Sequence, residues 1–142
     1  MNTDASFEDG AEQPLRLVAM DGEDLNVLSA LCQDAVFPAT EMQWQAKQNR
    51  FGILLNRFRW EDVPLAERAG RKPERVQSVL AIQDVQRVAS QGIDRADADT
   101  VLSLLAVEYD ADANAVHLTL AGDGGIRLIV EDLDVSLRDV TR

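Results

Sequence analysis

The residues best suited to binding chemistry lie in a short stretch where arginines alternate with aromatic residues, Asn56-Arg57-Phe58-Arg59-Trp60-Glu61. A guanidinium group pairs with a carboxylate or phosphate through two parallel hydrogen bonds, and it also stacks on aromatic rings. Successive residues of a strand project to opposite faces, so the two arginines share one face and the two aromatics share the other. We therefore expect both rings in the core and a paired cationic site on the sheet surface.

Two kinds of partner suit this arginine pair, and the sequence leaves both open. The first is an internal carboxylate, from Glu61 or Asp62, which would make the motif structural. The second is a carboxylate of a partner subunit or an external anion. On the second hypothesis a pocket lies between a helix and a curved sheet, and its ligand-binding residues are Arg57, Arg59, Trp60 and Asp34.

Charge is segregated along the chain. Residues 47–75 hold eight Lys or Arg and four Asp or Glu, a net charge of +4, whereas the whole chain carries −11 and the remainder therefore −15. An acidic surface of this kind repels nucleic-acid phosphates and anionic lipids. The composition thus argues against nucleic-acid binding and against membrane association.

Two loop-like motifs are better explained as turns than as ligand sites. Asp110-x-Asp112-x-Asn114 resembles the opening of a calcium loop, but alanine stands at the sixth and twelfth positions, where a glycine and a bidentate carboxylate are needed. The glycine-rich residues 122–125 join two predicted strands, whereas a phosphate cradle leads from a strand into a helix. Both segments are predicted to be hairpin turns.

The single histidine and the single cysteine do not indicate catalysis. His117 alone excludes two-histidine metal sites, and its alternation with Val116 and Leu118 predicts that it lies on the wetter face of a strand. Cys32 falls on an apolar helix stripe, where a free cysteine acts as a small hydrophobe. No nucleophile elbow, cofactor motif or metal-ligand spacing is recognised, so we predict no catalytic residue, no metal and no cofactor.

These residues must be positioned by one helix and about eight strands. Asp21 is a predicted N-cap, and residues 22–35 carry apolar side chains at helical spacing, with the helix ending before Pro38. Burial of Leu25, Leu28 and Leu31 is expected. Period-2 patterns predict strands near residues 15–20, 42–46, 51–60, 76–88, 102–109, 116–121, 126–130 and 133–137.

The predicted fold class is α+β, a predominantly antiparallel curved sheet or partly open barrel with one amphipathic helix near the N-terminus. A bulge near Asn56-Arg57 would bring both aromatics to the core, and residues 62–74 are expected to form the longest loop. A closing helix over residues 130–140 is an alternative to the last strand. Residues 1–13 are predicted to be a disordered acidic lead-in, and residues 14–142 a single domain.

Several short motifs occur together: Leu28-Ser29-Ala30, Arg50-Phe51, Gly124-Gly125-Ile126-Arg127-Leu128 and, most specifically, the stretch from Asn56 to Glu61. With them, nearly the whole chain after residue 14 resembles an uncharacterised bacterial family known only as a domain of unknown function. The resemblance implies a bacterial, cytoplasmic origin and assigns no activity or site residue.

The leading functional hypothesis is a non-enzymatic binding or adaptor domain. It would bind a protein partner or a second copy of itself through a sheet edge or the arginine–aromatic segment. The alternative is a protein or enzyme that binds a small anionic molecule in the pocket described above. No signal peptide or membrane span is recognised, so a cytoplasmic location is expected.

Overall fold

The computed structural model describes residues 14–93 and 99–140, and within them the chain forms ten strands and two α-helices. The predicted acidic lead-in and most of the acidic connection at residues 92–99 lie outside the described residues. The helices are α1 (Gly22–Cys32) and α2 (Val63–Arg68), and short 3-10 helices occupy Ala39–Glu41, Ala46–Gln48 and Trp60–Asp62. The strands are β1 (Arg16–Ala19), β2 (Ala35–Pro38), β3 (Met42–Gln45), β4 (Arg50–Phe58), β5 (Arg75–Ile82), β6 (Val85–Gln91), β7 (Val101–Asp110), β8 (Ala115–Leu120), β9 (Gly124–Val130) and β10 (Val135–Asp139).

The ten strands form one antiparallel sheet that runs from β1 to β6 without closing. Its order is β1-β10-β5-β4-β2-β7-β8-β9-β6, and β3 is an additional partner of β4. Strand β2 links the two halves, because Val36 pairs with Asn56 of β4 while the whole of β2 pairs with β7. The α+β class and the antiparallel sheet are confirmed, although the sheet has ten strands and a second, short helix is present.

Helix α1 forms where the sequence predicts it. The Asp21 carboxylate accepts a hydrogen bond from the Asp24 amide at 2.8 Å, which satisfies one of the free N–H groups at the helix start. Leu25, Leu28 and Cys32 are at most 1% exposed and pack into the core. Leu31, which was also expected to be buried, is only partly buried against it. The helix ends three residues earlier than predicted, because Ala35–Pro38 is strand β2, which the sequence pattern does not predict.

The inner face of β4 follows the apolar alternation without interruption. Phe51, Ile53 and Leu55 are each 1% exposed, and Arg57 continues the same parity with 0% exposure. The predicted bulge near Arg57 is therefore wrong: β4 pairs with β5 in unbroken register as far as Phe58. Consequently Phe58 belongs to the outer face of the strand.

Two further boundaries differ from the sequence prediction. The predicted long loop at residues 62–74 contains α2, and the predicted strand at 76–88 is two strands. Asp84 takes a left-handed conformation, φ 57°, that separates β5 from β6. The backbone amides on either side of Asp84 therefore donate hydrogen bonds in different directions. The Gln83 amide donates to the Asp134 carbonyl, and the Val85 amide donates to the Asn49 carbonyl. This is why β5 pairs with β4 and β10 while β6 pairs with β9.

The C-terminal meander agrees with the prediction. Asp110 caps its own turn, since its carboxylate accepts hydrogen bonds from the amides of Asp112 and Ala113. The calcium-like motif is thus a hairpin turn between β7 and β8, and the glycine-rich residues 122–125 form the turn into β9. The last segment is strand β10, which pairs with β1 and β5. The predicted strand is therefore confirmed, and the alternative of a closing helix is wrong.

No helix among the described residues is long and apolar enough to cross a membrane.

The packing of α1 predicts a large, site-specific loss of stability. Leu28→Ala should lower the free energy of unfolding by about 2–5 kcal/mol, because Leu28 is fully buried and its removal leaves a cavity. Val27→Ala on the same helix is the matched control, since Val27 is 57% exposed and should change stability by about 0.5 kcal/mol or less. Chemical denaturation of both variants measures the difference. Equal losses in the two variants would contradict this packing.

Candidate functional site

Arg57 lies in the protein interior. Its side chain is 0% exposed, on the core face of β4. The expectation that Arg57 projects from the sheet surface is therefore wrong, because the apolar alternation of the strand extends into the arginine. A buried guanidinium is stable only if its charge and its N–H groups find partners, so its surroundings define the site.

Glu61 supplies the first carboxylate. After β4 the chain turns through the 3-10 helix Trp60–Asp62, which returns Glu61 to Arg57. The Arg57 Nη1 donates to Oε1 at 2.8 Å and Nη2 donates to Oε2 at 2.6 Å, a bidentate ion pair. Of the two alternatives for the arginine motif, internal pairing is the one that Arg57 adopts.

Asp139 supplies the second carboxylate, from a strand 82 residues away in the chain. Arg57 donates to it through Nε and Nη2, each at 3.0 Å. The Ser78 hydroxyl donates to Oδ1 at 2.6 Å, and the Leu15 amide donates to Oδ2 at 2.8 Å. One carboxylate therefore joins β4, β5, β10 and the residue that precedes β1.

Every N–H group of Arg57 is used within the chain. Besides its bond to Asp139, the Nε–H group donates to the Ser78 hydroxyl oxygen at 3.1 Å. The second N–H of Nη1 donates to the Phe58 carbonyl at 3.2 Å. No buried side-chain N or O atom of the described residues lacks a hydrogen-bond partner. An external ligand can reach Arg57 only by displacing one of its carboxylates, of which Glu61, at 29% side-chain exposure, is the more accessible.

The cluster fixes the ionisation of its members. Burial is the largest single effect and disfavours the charged carboxylates of Glu61 and Asp139. The hydrogen bonds that each carboxylate accepts, first among them those from Arg57, together with the positive charge of Arg57, outweigh it and hold the pKa of both below their ordinary values. Burial likewise opposes the charge on Arg57, yet the two carboxylates raise its pKa above the ordinary value. All three groups are charged at neutral pH.

A second ion-pair cluster stands next to the first. The Asp62 side chain is 0% exposed and accepts two hydrogen bonds from Arg71, at 2.8 and 3.2 Å, while an Arg59 nitrogen lies 4.0 Å away. Hydrogen bonds from Arg71 lower the pKa of Asp62 despite its desolvation. The cluster holds the start of α2 against the loop that follows it.

The aromatic residues of the motif lie on the opposite side of the strand from the core. Phe58 and Trp60 pack edge to face with centroids 4.7 Å apart, and Trp60 is 37% exposed. The Arg75 guanidinium stands 5.9 Å from the Phe58 ring centre. The expectation that both aromatics enter the core is therefore wrong. We call Phe58, Trp60 and Arg75, with the main chain of Gln33 and Asp34, the Trp60 surface.

The turn between α1 and β2 completes this surface. The Trp60 indole N–H donates to the Gln33 carbonyl at 2.9 Å, and Arg75 donates to the carbonyls of Asp34 and Asn56 at 3.3 and 3.1 Å. Asp34 adopts a left-handed conformation, φ 65°. Two of the four candidate ligand residues, Trp60 and Asp34, are therefore brought together here.

The predicted pocket beside the helix has a different composition from the one expected. A cleft of about 520 Å³ lies between the start of α1 and β7, and none of the four candidate residues lines it. Three carboxylates do so, from Asp21, Glu23 and Glu108, and they disfavour an anionic ligand. Among the described residues no group of three or more His, Cys, Asp or Glu is arranged to hold a metal ion.

Cys32 and His117 occupy unrelated places. Burial raises the pKa of the Cys32 thiol to about 12 against a smaller lowering effect of Arg57, so the thiol stays protonated at neutral pH. His117 is partly exposed between the buried Val116 and Leu118, as the strand pattern predicts. Cys32 belongs to the apolar core, whereas His117 has the opposite parity to Val116 and Leu118, the core residues beside it on β8.

Sequence reasoning missed Ser78, Asp139 and the role of Arg75. Ser78 shares the parity of Leu80 and Ile82, and Asp139 shares that of the buried Val135 and Leu137. Each is a polar residue on the apolar face of its strand, as Arg57 is on β4. Polar residues at apolar positions of three strands are the sequence signal that could have indicated a buried polar cluster. The sequence does not show that these three residues meet, because their contact depends on the order of the strands in the sheet.

A family model described as a protein of unknown function, DUF2948, matches residues 15–142, which is nearly the whole chain. No curated protein and no solved structure matches.

The Arg57 cluster predicts a defined pH dependence of stability. A carboxyl whose pKa is lowered on folding stabilises the protein above its unfolded pKa, and this stabilisation is lost as the pH falls through the folded value. Ordinary values are 4.5 for Glu61 and 3.8 for Asp139, so the loss should occur below about pH 5. Asp139→Asn should lower the free energy of unfolding at pH 7 by about 3–5 kcal/mol, because it leaves Arg57 partly unpaired in the interior. Asp139→Asn should also make the free energy of unfolding less dependent on pH below about pH 5.

The control for this experiment is Asp132→Asn, at an exposed carboxylate two residues after β9. Urea unfolding from pH 3 to pH 7 measures all three proteins. An Asp139→Asn profile parallel to that of the unsubstituted protein would refute the contribution of the cluster.

Proposed function

Because the chain belongs to DUF2948, a family of unknown function, its role must be inferred from its own surfaces, and we propose that it is a binding domain that docks an acidic segment of a partner protein. The docking site is the Trp60 surface. Two other residues of the arginine motif, Arg57 and Glu61, support this surface from beneath by fixing the end of β4 and the turn that follows it.

The observation that carries the proposal is the state of Trp60. Its ring is 37% exposed, yet it is held by the hydrogen bond to Gln33 and by the edge-to-face contact with Phe58. A tryptophan fixed in this way loses little conformational freedom when a partner covers it. Tryptophan and arginine are also the residues that contribute most often to the energetic centres of protein interfaces.

Charge favours an acidic partner. Phe58, Trp60 and Arg75 of the Trp60 surface belong to residues 47–75, the segment of net charge +4, in a chain whose remaining residues carry −15. Arg75 lies at the surface and its guanidinium faces Phe58, while the exposed Arg71 follows the neighbouring helix. An extended polyanion such as nucleic acid would meet the acidic remainder of the chain, whereas a short acidic protein segment contacts only the basic part.

The reactive side chains favour binding over catalysis. Cys32 is buried with a raised pKa, and each N–H of Arg57 is committed to the protein itself. The groups that remain accessible at the Trp60 surface are aromatic rings and a guanidinium. These groups recognise a partner through stacking and charge-assisted hydrogen bonds.

Affinity capture from cells that naturally express the protein, followed by titration with the purified partner, tests the proposal. Trp44→Phe leaves Trp60 as the only tryptophan, so its fluorescence reports contact at the surface directly. We expect saturable binding that weakens with added salt, together with a shift of Trp60 emission. Trp60→Ala and Arg75→Gln should each weaken binding by at least about tenfold, the effect of a truncated interface centre.

Arg138→Gln is the matched control, because it removes an exposed arginine from β10 and should leave binding unchanged. Retention of full affinity by both Trp60→Ala and Arg75→Gln, at unchanged thermal stability, would refute the proposed docking site. So would a captured partner that proves to be basic.

A further inference from the structure

A second feature, separate from the Trp60 surface, is a cleft on the outer face of the meander. Its volume is about 430 Å³, and it is open to solvent between β8, β9 and the edge strand β6. Six residues in two adjacent rows across these strands face the cleft: Ala89, Gln91, His117, Thr119, Gly125 and Arg127.

Sheet register explains why a cleft exists there. In the first row His117 pairs with Arg127, and Arg127 pairs with Ala89. Since neighbouring strands lie about 4.8 Å apart, the imidazole and the guanidinium stand side by side. In the second row Gly125 sits at the centre, between Thr119 and Gln91, so the sheet has no side chain at that point.

Arg127 and His117 have no side-chain partner among the residues that the structure describes, since neither takes part in an ion pair or a side-chain hydrogen bond there. Arg87 adds a second guanidinium two residues before Ala89 on the same face of β6. The nearby carboxylates are Asp123, at the turn end of the cleft, and Glu108, opposite His117 on β7, and neither reaches ion-pair distance of Arg127.

We propose that this cleft binds a small oxyanion-bearing molecule, whose phosphate or carboxylate group is held by Arg127. The guanidinium offers paired N–H donors that match two oxygens of such a group. The imidazole of His117 and the hydroxyl of Thr119 stand on the neighbouring strand as further donors. The open floor at Gly125 admits the body of the ligand, and the volume limits it to a small molecule.

Gly125 provides a steric test that leaves the fold intact. A Cβ at this position would meet only the Leu118 carbonyl oxygen at 3.6 Å, an ordinary contact, and the residue lies within β9 without a positive φ. A β-branched residue also suits a strand. Gly125→Val therefore fills the floor of the cleft, whereas Arg127→Gln removes the charge and keeps a polar side chain.

The experiment is an NMR titration of the ¹⁵N-labelled protein with inorganic phosphate and, separately, with succinate, each against sodium chloride at matched ionic strength. We expect saturable shifts of the Thr119, Gly125 and Arg127 amides with at least one of the two anions, and the stronger binder identifies the oxyanion class. Arg127→Gln should weaken binding by roughly tenfold or more, as expected for loss of a charge-assisted contact, and Gly125→Val should do so because its side chain occupies the floor of the cleft. Arg138→Gln, on the other half of the sheet, should not.

Three results would overturn the proposal. These are the absence of saturable shifts with both anions, equal shifts around Arg138 and Arg127, and unchanged affinity in both cleft variants. None of these bears on the Trp60 surface, because the two sites share no residue.

Discussion

The burial of one guanidinium group constrains much of this structure. Arg57 has five N–H donors and a charge in the interior, and each must be matched or the fold loses several kcal/mol. The matching groups come from Glu61 in the turn after β4, Ser78 on β5 and Asp139 on β10. Asp139 in turn exchanges hydrogen bonds with Leu15 and so attaches β1. The polar cluster around Arg57 therefore stabilises the strand order β1-β10-β5-β4, in addition to the apolar packing of the same strands.

The candidate binding surface follows from the same constraint. Strand parity means that when Arg57 enters the core, Phe58 must face outward. The bidentate bond between Arg57 and Glu61 then fixes the turn that contains Trp60, and the indole reaches the Gln33 carbonyl across the surface. Core and surface are two faces of one segment, so the rigidity of the exposed aromatics depends on the buried ion pairs beneath them.

Much of the fold was readable from sequence. The cap at Asp21, the stripe of α1, the three-stranded meander and its turns all depend on local patterns, and all are confirmed. The face of the arginine motif was predicted wrongly, because Phe58 and Trp60 were assigned to the core, which required a bulge near Asn56-Arg57. Asp139 could not be paired with Arg57 from sequence, since only the sheet order brings two residues so distant in the chain together. The short strand β2 carried too few alternating residues to be recognised.

The most direct test of this account is a double-mutant cycle between Arg57→Gln and Asp139→Asn, read as the free energy of unfolding at pH 7. The account predicts strong coupling, about 2 kcal/mol or more, because either single substitution already disrupts the shared cluster. In the double variant the loss should be far smaller than the sum of the single losses. Strictly additive losses would contradict it, for they would mean that Arg57 and Asp139 stabilise the protein independently and that no shared cluster holds the strands together.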